Sequence, residues 1–111
     1  MPTKEIRGRR ALIKAVGATQ TEADFQADIL KLARQLGWLA YHTHDSRRSP
    51  EGFPDLVLCR PPEVLFIELK TATGRLTNGQ REWFKALVES NRVTAAVFRP
   101  ADWDEIVEVL K

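Results

Sequence analysis

Three charged residues carry chemistry by their spacing: Asp55, directly after Pro54, and the pair Glu68 and Lys70, reached after residues 56–67. Side chains alternate along a β-strand, so Glu68 and Lys70 share one face and Leu69 takes the other. A carboxylate and an ammonium therefore stand side by side at the end of the apolar run Val64 to Ile67, which reads as a buried strand. Charges delivered by a buried strand are costly unless they are paired or hold a metal. Asp55 opens a second apolar run, Leu56 to Cys59, and a turn at Pro61, Pro62 and Glu63 lays the two runs antiparallel. Two carboxylates converging in this way suit one hard cation such as Mg²⁺, which takes oxygen ligands and keeps several waters. The plainer reading makes Glu68 and Lys70 a solvated strand end and Asp55 a turn residue, and an E-x-K triplet alone does not decide between the two.

The elements that must hold these residues follow from local patterns. Thr19 or Thr21, with Glu22 or Asp24 three residues on, opens a helix that Gly37 stops. Phe25, Ile29, Leu32, Ala33 and Leu36 form its apolar stripe, and Glu22 falls on that stripe at the N-terminal end. A carboxylate in a first helical turn ordinarily caps the helix or answers its dipole, but an acidic residue on the core-facing stripe is less usual. Trp38 to His44 reads as a strand, Asp45 to Phe53 as a polar loop, and Thr71 to Asn78 as another. Thr77 and Gln80 form a capping box for a second helix with Trp83, Phe84, Leu87 and Val88 on its apolar side, where Gln80 also falls. Val93 to Arg99 reads as a fourth strand and Asp102 to Leu110 as a terminal helix. Three consecutive strands, a helix and a fourth strand predict an α/β fold with a mixed four-stranded sheet and a C-terminal helix.

Composition bounds the class. The chain has 111 residues, 43% of them hydrophobic, enough for one domain and one core. Its apolar runs are too short to span a bilayer, and its basic N-terminus lacks an apolar signal region, so the expectation is a cytoplasmic protein with no membrane partner. Cys59 has no second cysteine to pair with and reads as a core residue. No zinc-type spacing exists; His42 and His44 share one strand face, where packing or a phosphate contact is the plainer reading and metal ligation the sharper one. Trp38, Trp83 and Trp103 read first as packing and second as base-stacking or dimer contacts.

Charge is divided unevenly. Residues 1–20 carry Lys4, Arg7, Arg9, Arg10 and Lys14 against Glu5, a net +4, which leaves residues 21–111 with 12 basic and 14 acidic residues. The division separates a basic arm, 1–20, from a domain, 21–111. Such an arm suits a phosphate backbone, and a solvated tail accounts for it equally well. Within the domain Arg47, Arg48 and Arg75 flank the proposed site on polar loops suited to phosphate contacts.

The phrase Gly52-Phe53-Pro54-Asp55-Leu56, followed at hairpin distance by Phe66-Ile67-Glu68-Leu69-Lys70, resembles the PD-(D/E)XK nuclease signature and specifically the VRR-NUC (virus-type replication-repair nuclease) family. The resemblance covers Thr21 to Lys111, and the expected element order matches the αβββαβ core of those nucleases. It implies a Mg²⁺-dependent DNA endonuclease, with Mn²⁺ able to substitute, whose metal rests on Asp55, Glu68 and the Leu69 carbonyl. Lys70 would orient water or stabilise developing negative charge. In the family the first helix supplies a further acidic residue of the metal site, matched here by Glu22, and the second helix a Gln near the active site, matched by Gln80. Small stand-alone members resemble Holliday junction resolvases, which implies branched DNA as substrate, a homodimer, and no nucleotide cofactor. Flap, nick or general DNA cleavage, or a non-catalytic DNA-binding module of the same fold, are the alternatives.

Overall fold

Helix α1 (Glu22–Gln35) begins where Thr21, in extended conformation, accepts the Asp24 N–H on its hydroxyl at 3.0 Å. It ends through Leu36 into Gly37, whose φ of +88° is the left-handed geometry that closes a helix without a Cβ penalty. The structure is a computed structural model that describes residues 20–43 and 50–111. The basic arm up to residue 19, with Lys4, Arg7, Arg9, Arg10 and Lys14, lies outside the described residues, as do His44, Arg47 and Arg48.

Four strands follow: β1 (Leu39–His42), β2 (Leu56–Arg60), β3 (Glu63–Leu69) and, after helix α2 (Asn78–Glu89), β4 (Thr94–Phe98). A short 3₁₀ turn, Pro100–Asp102, leads into helix α3 (Trp103–Leu110). The sheet runs in the order β1-β2-β3-β4. The first two pairings are antiparallel and β3 with β4 is parallel, so the expected meander and mixed sheet are present, with α2 as the crossover. The turn between β2 and β3 contains a cis Pro61–Pro62 bond. Among the described residues no helix is long and apolar enough to cross a membrane.

Alternation assigns the two sheet faces. Leu56, Leu58, Leu65, Ile67, Leu69, Ala96 and Phe98 point one way and are buried under Phe25, Ile29 and Ala33 of α1 and Ile106 and Leu110 of α3. Val57, Phe66, Glu68, Ala95 and Val97 point the other way, toward α2, which buries none of its residues completely. Phe53 bridges this thinner side, edge-on to Phe66 at 6.1 Å and to Trp83 at 5.0 Å. Beyond the reach of α2, Leu39 and Tyr41 of β1 remain 75% and 59% exposed on the same face. Trp38 is buried in the main core, Trp103 packs against it from the side, and Trp83 is half-buried on the thinner face.

The end of the sheet remote from β3's C-terminus is held by Arg60. Its guanidinium donates to the carbonyls of Leu36 (3.0 Å), Leu110 (3.1 Å) and Lys111 (2.7 Å) and lies 4.3 Å over the Trp38 ring. Trp38 Nε1 adds a bond to the Leu110 carbonyl at 2.9 Å. Carbonyls left over at the ends of α1 and α3 thus share one cation.

Candidate active site

Asp55 and Glu68 meet because the β2–β3 register places them across from each other. Leu56 pairs with Ile67, so the next residue outward on each strand is Asp55 and Glu68 respectively. The Leu69 N–H donates to Asp55 Oδ2 at 2.9 Å, which fixes the aspartate against the end of β3. Lys70 lies on the Glu68 side as strand alternation predicts, its Nζ 3.9 Å from Glu68 Oε2.

Glu68 is the unusual member. The residue is only 4% exposed, and its Oε1 has no hydrogen-bond partner. Its Oε2 accepts the Gln80 side-chain amide at 2.8 Å. Burial pushes the Glu68 carboxyl up to about 8, and the neighbouring Asp55 charge pushes the same way, while Lys70 pulls it down. Burial and the Asp55 charge thus favour a proton on Glu68 near neutral pH in the metal-free site, in place of a second full negative charge.

Gln80 arrives there through helix capping. Thr77 Oγ1 accepts the Gln80 N–H at 3.1 Å, and Gln80 Oε1 accepts the Thr77 N–H at 2.9 Å, so one side chain closes the capping box while its amide nitrogen reaches Glu68. The loop before Asp55 is locked to the same helix end. Gly52 has φ +93°, and a Cβ there would stand 2.3 Å from the Gly79 carbonyl carbon, so only glycine lets the two backbones approach this closely.

These residues enclose a cleft of about 270 Å³ lined by Glu22, Thr43, Glu51, Asp55, Glu68 and Gln80, among others. Glu22 is a correction to the sequence reading, which put it on the buried stripe: the residue is exposed, at the cleft mouth, because the stripe leaves the core at the first turn of α1. Its carboxyl is nevertheless raised above the usual range, first by partial desolvation against the cleft wall and then by the Asp55 charge, with Lys70 opposing. His42 pairs with Leu56 and so takes the α1 side of the sheet, away from the face of Glu68. Arg75 is exposed on the loop that follows Lys70.

Among the described residues no group of three or more Asp, Glu, His or Cys side chains is gathered closely enough to enclose an ion. The donor set present is two carboxylates, one with an orphaned buried oxygen, beside the Leu69 backbone. That set fits a hard divalent ion that keeps most of its own water and does not fit a fully protein-bound cage. Thr43 and Glu51 were not singled out from sequence; each is a polar residue beside a loop, with no pattern to distinguish it before the cleft is formed.

Comparison with known proteins gives the chain a family and a fold relative. The profile of the VRR-NUC domain family matches residues 3–101. A solved structure described as a VRR-NUC domain superposes with a TM-score of 0.55 at 19% identity, covering 74% of this chain and 92% of that one, a likeness of fold. No curated protein matches the chain.

Proposed function

The chain belongs to the VRR-NUC family, a nuclease-type family, and from that premise we propose that it is a metal-dependent DNA endonuclease acting on branched DNA. The observation that carries the reading is the buried Glu68, its Oε1 unpartnered, set against Asp55 and Lys70 in an open cleft. Asp55, Glu68 and the Leu69 carbonyl would hold Mg²⁺, or Mn²⁺ in its place. When bound, the ion supplies an acidified water and Lewis acidity toward the phosphate.

The protein's own groups do the rest. Gln80 fixes Glu68 Oε2 and leaves Oε1 without a partner, so Oε1 is the oxygen that would hold a metal ion. The Lys70 ammonium orients the attacking water or neutralises charge developing on the phosphate. Glu22, at the cleft mouth, would bind the metal through water or shape a second metal position. Arg75 and, on the loop before Asp55, Arg47 and Arg48 contact flanking phosphates. Cutting two strands of a four-way junction symmetrically needs two sites where one domain has one, so the active species is a homodimer.

Cleavage of labelled four-way junction, flap, splayed-arm and linear duplex DNA, each with Mg²⁺ and with EDTA, tests this. Metal-dependent product from the junction is expected, and it should vanish in Asp55→Asn and Lys70→Ala. Binding without product under every condition would leave a DNA-binding module, and equal cleavage of linear duplex would remove the branch preference. For the arm, removal of residues 2–18 should flatten the dependence of log affinity on log salt by about 0.9 per lost phosphate contact. An unchanged slope would make the arm a solvated tail.

A further inference from the structure

Lys70 leaves the sheet into a turn that closes on itself. Its N–H donates to the Phe98 carbonyl at 3.0 Å, and Thr71 Oγ1 accepts the Gly74 N–H at 3.1 Å. The turn lies against the Lys70 stem: a Cβ at Gly74 would be 3.5 Å from Lys70 Cδ and 3.0 Å from Thr71 Oγ1. Arg99, at the far end of β4, reaches across to this turn. Its Nη1 donates to the carbonyls of both Thr71 (2.8 Å) and Gly74 (2.7 Å), while its own N–H is held by Asp102 Oδ2 at 2.9 Å. A lysine on four methylenes has no preferred end point of its own. Here the side chain is 13% exposed and ends 3.9 Å from Glu68.

We infer that Arg99 is a positioning residue for the reaction: by binding the Thr71 and Gly74 carbonyls it presses the turn against the Lys70 stem and sets where the ammonium stands beside Glu68. The inference rests on the nuclease reading for its catalytic consequence and on the hydrogen bonds alone for its structural one. Arg99 spends its Nη1 on the Thr71 and Gly74 carbonyls, and through those bonds it acts on the turn that carries Lys70.

Two readouts separate these parts. In metal-free protein, Arg99→Ala should move the NMR signals of the Lys70 side-chain methylenes toward those of the solvent-exposed lysines. In the cleavage reaction the same change should lower kcat about 10- to 100-fold, the scale expected for misplacing a reacting group by about 1 Å, with KM changed less than about twofold. Arg99→Lys, which keeps a cation for the carbonyls, should recover part of the loss. Unmoved Lys70 signals in folded Arg99→Ala would overturn the inference, as would a rise in KM with kcat intact. Should Arg99→Ala not fold, Thr71→Val, which removes only the hydroxyl that closes the turn, gives the same readouts with the same deciding outcomes. Absence of cleavage by the unmodified protein would refute the nuclease reading, while the Lys70 signals would still decide the role of Arg99.

Discussion

Gln80 donates its side-chain amide to Glu68 Oε2 at 2.8 Å while its carbonyl oxygen caps α2 on the Thr77 N–H at 2.9 Å. One side chain thus couples the start of a helix to a buried carboxylate that, among the described residues, is the one lining the cleft. The two jobs can be separated by substitution. Gln80→Ala should lose both, costing about 1 kcal/mol in denaturant-measured stability and most of the turnover. Gln80→Glu keeps an oxygen for the Thr77 N–H but replaces the donor to Glu68 with a second carboxylate. It should therefore retain more of the stability while losing turnover as severely. Equal stability loss in the two variants would show that the cap contributes nothing.

Glu68 links stability to pH. Its carboxyl titrates near 8 in the folded protein, against an ordinary 4.5. The folded state therefore holds its proton where the unfolded chain has lost it, and stability falls as pH rises from about 4.5 to about 8. Glu22, raised in the same sense, adds to that slope. In metal-free protein Glu68→Gln should leave Tm almost unchanged at pH 4 and raise it at pH 8.5, by roughly 4–8 °C for each kcal/mol recovered. A Tm difference independent of pH would rule out the buried carboxyl as its source.

Mg²⁺ should raise Tm by mass action on the folded state. The rise should be larger at pH 8 than at pH 6, since the ion displaces the proton on Glu68. Thermal melts with and without 10 mM Mg²⁺ (roughly a saturating excess for a weak, hydrated site) would measure it, and Asp55→Asn should abolish it.

Gly52 and Gly37 both have positive φ, +93° and +88°, but only Gly52 lies against another backbone. At Gly37 an added Cβ meets nothing nearer than Arg60 Cδ at 4.0 Å, so Gly37→Ala should cost about 1–2 kcal/mol from conformation alone. Gly52→Ala must also drive apart the loop and the first turn of α2. It should cost more in stability and, by moving Gln80, reduce turnover at least 10-fold. Matched losses of turnover in the two variants would contradict the distinction.

Arg60→Ala should destabilise the protein by about 2 kcal/mol, because three carbonyls lose a charged donor. Turnover below the melting range should be unchanged, since Arg60 and the cleft occupy opposite ends of β2. Arg60→Lys should not restore stability, a point charge being unable to span the three acceptors. A lower kcat in either variant would indicate that the two ends communicate.

What could be read from the sequence was local or periodic. Thr21, Gly37 and the Thr77–Gln80 box act within a few residues of themselves, and all three stand as expected. Period two placed Glu68 and Lys70 together, and the short Pro61–Pro62 turn fixed the strand register that brings in Asp55. The strand ends were less legible: Trp38 to His44 contracts to Leu39–His42, and Val93 to Arg99 to Thr94–Phe98. Contacts made across the fold left no local mark. Arg99 on the Thr71 turn, Arg60 on two helix ends and Gly52 against Gly79 each join residues more than twenty apart in sequence. Glu22 was misjudged because a helical stripe does not report where the helix leaves the core.

The unequal cover on the two sheet faces has a kinetic consequence. Helix α2 buries no residue completely, whereas α1 and α3 are rooted in the main cluster, so of the three described helices α2 is the one whose lifting uncovers the least core. That motion would withdraw Gln80 from Glu68 and let water into the cleft while the other layer stays shut. Amide protons of α2 should then exchange with deuterium orders of magnitude faster than those of β2 and β3, and a divalent ion that tightens the Glu68 end should slow them selectively. In this fold the reactive centre would be sealed by its most weakly anchored part.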